Sequence, residues 1–181
     1  KTVETHDSVA RYSSLGVECY TGEAKIISPY EVSVNNKILT TRNIIIGTGA
    51  RPYVPPIEGL EKIDYLTSDT VWDIREKPER LLVLGGGPIG SELAQAFARL
   101  GCKVTQVELG KRLLPREDYE VSQIILDSFR QDGINVLLEH NLKKFFKRDG
   151  KNFAEFQSQG QIVEIGFDKV IIAIGRKANT T

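Results

Sequence analysis

The clearest chemistry in this chain lies in "LLVLGGGPIGSELAQAFARLG", residues 81 to 101, where an apolar run breaks into Gly85-Gly86-Gly87-Pro88-Ile89-Gly90 and restarts with helical spacing. Gly85, Gly87 and Gly90 spell G-x-G-x-x-G. In a turn of this kind the first glycine allows the tight bend, the second clears the path of a pyrophosphate, and the third lets helix and strand pack closely. The free N–H groups of the helix then point at the anion. Pro88 falls in the first helical turn, where its missing N–H costs little. Glu108 follows Gly90 by 18 residues, close to the roughly 20-residue offset at which a carboxylate meets the ribose hydroxyls of a dinucleotide. The competing reading is a plain structural turn with a solvated glutamate.

Glu108 also bears on the choice of nucleotide. Its charge accepts hydrogen bonds from free ribose hydroxyls and repels a 2′-phosphate, so NAD is expected over NADP. Lys111 and Arg112 could reach a phosphate and argue the other way, unless they belong to a solvated loop. Glu92 lies near the start of the helix, where the macrodipole favours a negative charge.

No catalytic residue stands out. Cys19 and Cys102 are far apart and on different expected elements, which fits two half-buried thiols and neither a disulfide framework nor a zinc spacing. His6 and His140 read as ordinary surface histidines. With 40% hydrophobic and 27% charged residues and zero formal net charge, the chain has an ordinary globular composition. It has no global field for nucleic acid or an anionic membrane. No apolar run approaches the roughly 20 residues of a membrane span and no leader opens the chain, so a cytoplasmic protein is expected. The chain begins Lys1-Thr2-Val3 and holds no methionine; a piece of a longer protein is expected.

These residues need elements to position them. Residues 17 to 48 alternate like strands, with Asn35-Asn36 suited to a tight hairpin turn, and predict a small antiparallel unit. The prolines of "ARPYVPPIEGL" then predict an ordered crossing. Ser68 or Asp69 could cap a short helix reaching about Arg75, stopped by Pro78. Leu81 to Leu84 read as a buried parallel strand. Ile89, Leu93, Ala94, Phe97 and Leu100 share one face of the next helix. "KVTQVE" predicts a second strand and residues 118 to 132 a second helix, with Val121, Ile124, Ile125 and Phe129 inward. "INVLLEH" predicts a third strand. From residue 141 the period changes to two, with turns at Asp149-Gly150 and Gln159-Gly160, and Val170 to Ile174 closes the domain. The order β-α-β-α-β, meander, strand predicts an α/β, Rossmann-like nucleotide-binding domain with a parallel sheet and a three-stranded antiparallel flap, beside a small β-rich piece.

Three strings, "IIIGTGARPYVPPIEGL", "SDTVWDIREKPERLLVLGGGPIGSELAQAFARLGCKVTQVE" and "DKVIIAIGRKANT", occur in that order. Through them the chain resembles the pyridine nucleotide–disulfide oxidoreductases, with the dihydrolipoamide dehydrogenase and mercuric reductase branches nearest. The resemblance implies an FAD domain interrupted by an NAD(P) domain, with hydride passing from nicotinamide to flavin to a redox cysteine pair. Residues 1–65 would then be the last part of a first FAD-domain segment, 66–174 the NAD(P)-binding domain, and 175–181 the return to the FAD domain.

The resemblance also implies roles. Thr48 and Gly49 would lie against FAD, or form only a strand end, and Ala24 would meet the FAD adenine through its backbone. Gly85, Gly86, Gly87, Pro88, Ile89, Gly90 and Glu108 would hold NAD. Leu142 would lie beside its adenine, or be simple core. Gly175 would stand near the nicotinamide end, with Ile89 and Glu92 close to the ring; Arg176 reads as an ion-pair residue. The family's first glycine fingerprint, its redox cysteine pair, its later flavin motif and its dimerisation domain are not in this sequence. The partners implied are NAD(P)H, the remaining FAD and dimerisation domains, and a second copy in a full-length homodimer, with no nucleic acid and no membrane. A flavin-independent NAD(H)-binding sensor module is the alternative.

Overall fold

The computed structural model describes residues 8–180. Two compact units divide the chain, residues 1–47 and 48–181. His6 lies outside the described residues.

In the first unit, Ser8 caps a short helix α1 (Val9–Ser14), its Oγ accepting from Arg11 N at 3.3 Å. Strands β1 (Ala24–Ser28), β2 (Glu31–Val34) and β3 (Lys37–Thr40) form an antiparallel meander in sequence order. Asn35 and Asn36 take φ of 50° and 65°, the left-handed pair that a two-residue hairpin turn requires. The expected strand pattern is too long at both ends. Residues 17–23 and 43–49 form no strand, and Ile45 is 95% exposed. An extended segment becomes a strand only when an edge receives its N–H and C=O groups, and no described strand pairs with Ile44 to Ile46.

In the second unit, β4 (Ala50–Pro52) leads through the proline crossing to β5 (Tyr65–Leu66) and then β6 (Arg80–Leu84), α2 (Pro88–Arg99) and β7 (Lys103–Val107). Next come α3 (Tyr119–Gln131), β8 (Asn135–Leu137), and the meander β9 (Asn141–Arg148), β10 (Lys151–Ser158) and β11 (Gln161–Phe167). β12 (Lys169–Ile172) and β13 (Arg176–Ala178) complete the chain. The parallel sheet runs β5-β12-β6-β7-β8, the meander forms its own antiparallel sheet, and β13 pairs with β4.

Alternation along β6 sorts this unit into three layers. Leu82 and Leu84 face a cluster with Phe145, Ala154, Phe156 and Phe167 of the meander. Leu81 and Val83 face the opposite cluster, with Ala94 of α2 and Phe129 of α3. Both faces are covered, so β6 is apolar from Leu81 to Leu84, as a central parallel strand should be. Phe145 and Phe167 meet edge to face at 5.8 Å, a favoured aromatic geometry.

Several expected details change. Residues 68–75 form only a 3₁₀ turn, Val71–Asp73. Thr70 Oγ1 accepts from Thr67 N at 3.0 Å, a local side-chain bond that competes with helix formation. Leu100 is exposed because α2 ends one residue before it. On α3, Val121 and Ile124 face outward, Ile124 at 67% exposure, while Ser122, Ile125, Leu126 and Phe129 face the core. The inner stripe is thus rotated by about one position, and Ser122 can be buried because its hydroxyl reaches the Leu114 and Asp118 carbonyls. The closing strand ends at Ile172. β4, β5 and β13, of two or three residues each, are additions to the expected order.

Candidate functional site

The glycine turn sits at the carboxyl edge of the parallel sheet, where α/β folds bind their ligands. Gly85 N donates to Val107 O at 2.8 Å, and Ala173 N donates to Leu84 O at 2.8 Å, so β7 and β12 flank the turn. Gly85 has φ of 108°, and a methyl group there would lie 2.3 Å from Ala173 O. Neither the backbone nor the packing admits a side chain. A methyl group on Gly90 would lie 2.3 Å from Gly85 O, so the helix backbone rests directly on the turn.

Gly87 differs. It caps α2 with φ −75° and ψ 178°, a conformation open to any residue, and a methyl group there would meet no non-neighbouring heavy atom within 4 Å. No side chain bonds the first-turn N–H groups of α2 from this cap. Those donors have no partner within the helix and carry its positive end. Pro88 is exposed and Ile89 half-buried on the same turn.

Glu108 lies just past β7 and is half-buried. Its Oε2 accepts from Gly86 N at 2.6 Å and its Oε1 from Gly110 N at 2.7 Å. A carboxylate offers about four acceptor sites, so two bonds to the backbone hold it in place and leave capacity for hydroxyls. Arg112 turns back on its own loop, Nη2 donating to Pro115 O at 2.8 Å, while Lys111 is exposed. Glu92 is exposed and lies beyond the first turn of α2. The helix-dipole explanation for it therefore fails, because that effect fades within the first turn.

Among the other expected residues, Gly175 follows Ile174, whose Cα would lie 3.3 Å from a methyl group on Gly85. Leu142, on β9, packs half-buried against the core beneath the meander. Gly175 is exposed between β12 and β13, its carbonyl accepting from Tyr53 N at 3.0 Å. Thr48 donates its hydroxyl to Asn179 O at 2.8 Å, and Gly49 O accepts from Asn179 N at 3.0 Å, so both are tied to the chain's last residues. Ala24 is exposed at the start of β1 in the first unit. Arg176 lies 3.6 Å from Asp69 and donates to Ser68 Oγ at 2.9 Å, matching its reading as an ion-pair residue.

The two thiols are not alike. Cys19 is exposed and Cys102 is buried beside the helix-side core, where burial pushes its thiol pKa up. His140 is half-buried, its Nδ1 2.6 Å from Leu138 O, rather than on the open surface.

One residue of the site has no counterpart in the sequence reading. Gln106, on β7, is fully buried, with Nε2 donating to Gly85 O at 2.9 Å and to Ser91 Oγ at 3.2 Å. The signal was a polar residue at an inward position of "KVTQVE", in a strand that a covered parallel sheet would otherwise make apolar.

Residues 4–181 match the pyridine nucleotide-disulphide oxidoreductase family model. The mercuric reductase of Staphylococcus aureus is 37% identical over 91% of this chain, and the dihydrolipoyl dehydrogenase of Acholeplasma laidlawii is 34% identical over 91%. The HOCl-induced flavoprotein disulfide reductase RclA of Escherichia coli superposes on 88% of the chain with a TM-score of 0.69 at 31% identity. The strand–glycine turn–helix unit and these matches define one class: the chain belongs to the pyridine nucleotide-disulphide oxidoreductase family. It spans 30% of the length of the mercuric reductase, 49% of the dihydrolipoyl dehydrogenase and 36% of RclA. Among the described residues, no helix is long and apolar enough to cross a membrane.

Proposed function

We propose that this chain is the NAD(P)H-binding portion of an FAD-dependent disulfide oxidoreductase, with NAD preferred over NADP. The observation that carries the reading is Gly87. Gly85 and Gly90 are glycine for reasons internal to the fold, but neither the backbone nor any neighbour requires glycine at position 87. A ligand that must approach the backbone there supplies the reason. The residues present fit a dinucleotide: open space before Gly87, unspent first-turn donors for a pyrophosphate, and an anchored carboxylate at Glu108 for ribose hydroxyls.

In this reading residues 66–174 form the nucleotide domain, residues 1–65 close a first FAD-domain segment, and 175–181 return to it. The first turn of α2 orients the pyrophosphate, and the Glu108 carboxylate selects the ribose. Leu142 borders the adenine, while Ile89, Glu92 and Gly175 lie towards the nicotinamide end. Thr48, Gly49 and Ala24 lie towards FAD. The nicotinamide, when bound, supplies the hydride that a flavin accepts. This chain contributes position and field to that step. The remaining FAD and dimerisation domains, and a second copy in the full-length homodimer, supply the rest.

Calorimetric titration of the chain with NADH and NADPH tests the reading. Saturable binding of NADH, tighter than that of NADPH, is expected; saturable binding of neither contradicts it.

A further inference from the structure

We propose that Gln106 is a positioning residue for the dinucleotide turn, holding the Gly85–Gly86 peptide in its ligand-ready orientation from inside the sheet. The proposal rests on the nucleotide-binding reading above and adds a residue outside the glycine motif.

Gln106 is fully buried on β7, between β6 and β8 of the parallel sheet. Its amide can take only one orientation, because the Gly85 carbonyl is an acceptor and must face the NH₂ group. Both amide protons are used, one on Gly85 O and one on Ser91 Oγ. Its Oε1 has no hydrogen-bond partner among the described residues. A buried acceptor left unpaired costs free energy; an apolar side chain would spare Oε1 that cost but transfer it to the buried Gly85 carbonyl. Packing alone therefore does not account for glutamine here.

The geometry of the turn does. A trans peptide is planar, with its C=O and N–H pointing in opposite directions. Gln106 draws the Gly85 carbonyl inward, so the Gly86 N–H points the other way, where Glu108 Oε2 receives it at 2.6 Å. Gln106 on β7 and Glu108 just past its end thus grip the two ends of one peptide. The second bond, to Ser91, ties the start of α2 to the same amide. Strand, turn and helix are thus fixed before a ligand arrives, and a site already in its bound shape avoids the cost of ordering on binding.

Gln106→Met removes both bonds and the unpaired oxygen while nearly conserving volume. The variant exchanges an unpaired Oε1 for an unpaired Gly85 carbonyl, so its thermal midpoint should stay close to that of the parent chain, while its NADH dissociation constant, measured well below either midpoint, rises about five- to tenfold, the loss of roughly one hydrogen bond. A folded Gln106→Met chain that binds NADH as tightly as the parent overturns the positioning role and leaves the nucleotide reading standing. A parent chain that binds no NADH overturns both. Gln106→Leu repeats the test if the methionine variant does not fold; failure of both to fold makes the glutamine a requirement of the fold and overturns the positioning role.

Discussion

Gly90 and Gly85 touch through the backbone: a methyl group on Gly90 would lie 2.3 Å from the Gly85 carbonyl oxygen and 3.4 Å from Ala173 Cβ. The obstacle at 2.3 Å is backbone held by β6 and by Gln106, so it cannot yield as a flexible side chain would. Gly90→Ala should therefore destabilise the chain by about 1–3 kcal/mol, the usual range for overpacking. Urea unfolding measures this directly; an unchanged midpoint would show that α2 can withdraw from the turn freely.

Glu108 has two tasks. Its carboxylate holds the Gly86 and Gly110 N–H groups, and the proposed function has it also receive ribose hydroxyls. Glu108→Ala should cost about 1.5–3 kcal/mol of stability, because the bonds lost are to a charged acceptor. It should also weaken NADH binding more than NADPH binding in parallel titrations. Equal losses for the two nucleotides would limit Glu108 to its backbone task.

Arg80 and Asp168 join β6 to the start of β12 away from the glycine turn. Arg80 Nη2 lies 2.6 Å from Asp168 Oδ1, and Arg80 N donates to Oδ2 at 2.8 Å. The guanidinium bond is the main cause that holds the Asp168 carboxyl below its ordinary value of 3.8. A depressed folded pKa contributes stability that is complete above the unfolded value and fades as pH falls through the folded one. Asp168→Asn should thus lower the melting temperature most at neutral pH, with the gap narrowing below about pH 4. Both side chains are more than a third exposed, so the gap should be modest and shrink in high salt. A gap that persists unchanged into acid would show that the carboxylate's charge is not its source.

Much of the second unit was legible because its signals are local and strong. The run Leu81 to Leu84, the glycine turn, and the apolar positions Leu93, Ala94 and Phe97 each carry their own period, and the left-handed turns at Asp149-Gly150 and Gln159-Gly160 mark the meander. On α3 the periodicity was right and the phase was not. Val121, Ile124 and Ile125 offered a plausible apolar stripe, but a buried serine whose hydroxyl bonds to backbone shifted the inner face. Strands of two or three residues such as β5 are too short to show a period, and their existence depends on the neighbouring β12. Ile44 to Ile46 show the reverse error, a strong local β signal with no strand beside it among the described residues. Of the candidate site, the glycine turn and the nearness of Glu108 to it were legible in the spacing; the contact made by Gln106 was not, since it depends on a carbonyl that only the folded turn brings to it.

The central claim is that the space before Gly87 belongs to a pyrophosphate, and Gly87→Asp tests it most directly. Aspartate is a favoured N-cap, suits the positive end of a helix, and meets no obstacle at this position. Its carboxylate would stand where the pyrophosphate is proposed to lie. Titration with NADH, followed by nicotinamide fluorescence beside a thermal melt, should show the Gly87→Asp chain melting at or above the parent temperature with its NADH binding lost. A Gly87→Asp chain that melts normally and binds NADH with parent affinity would contradict the account.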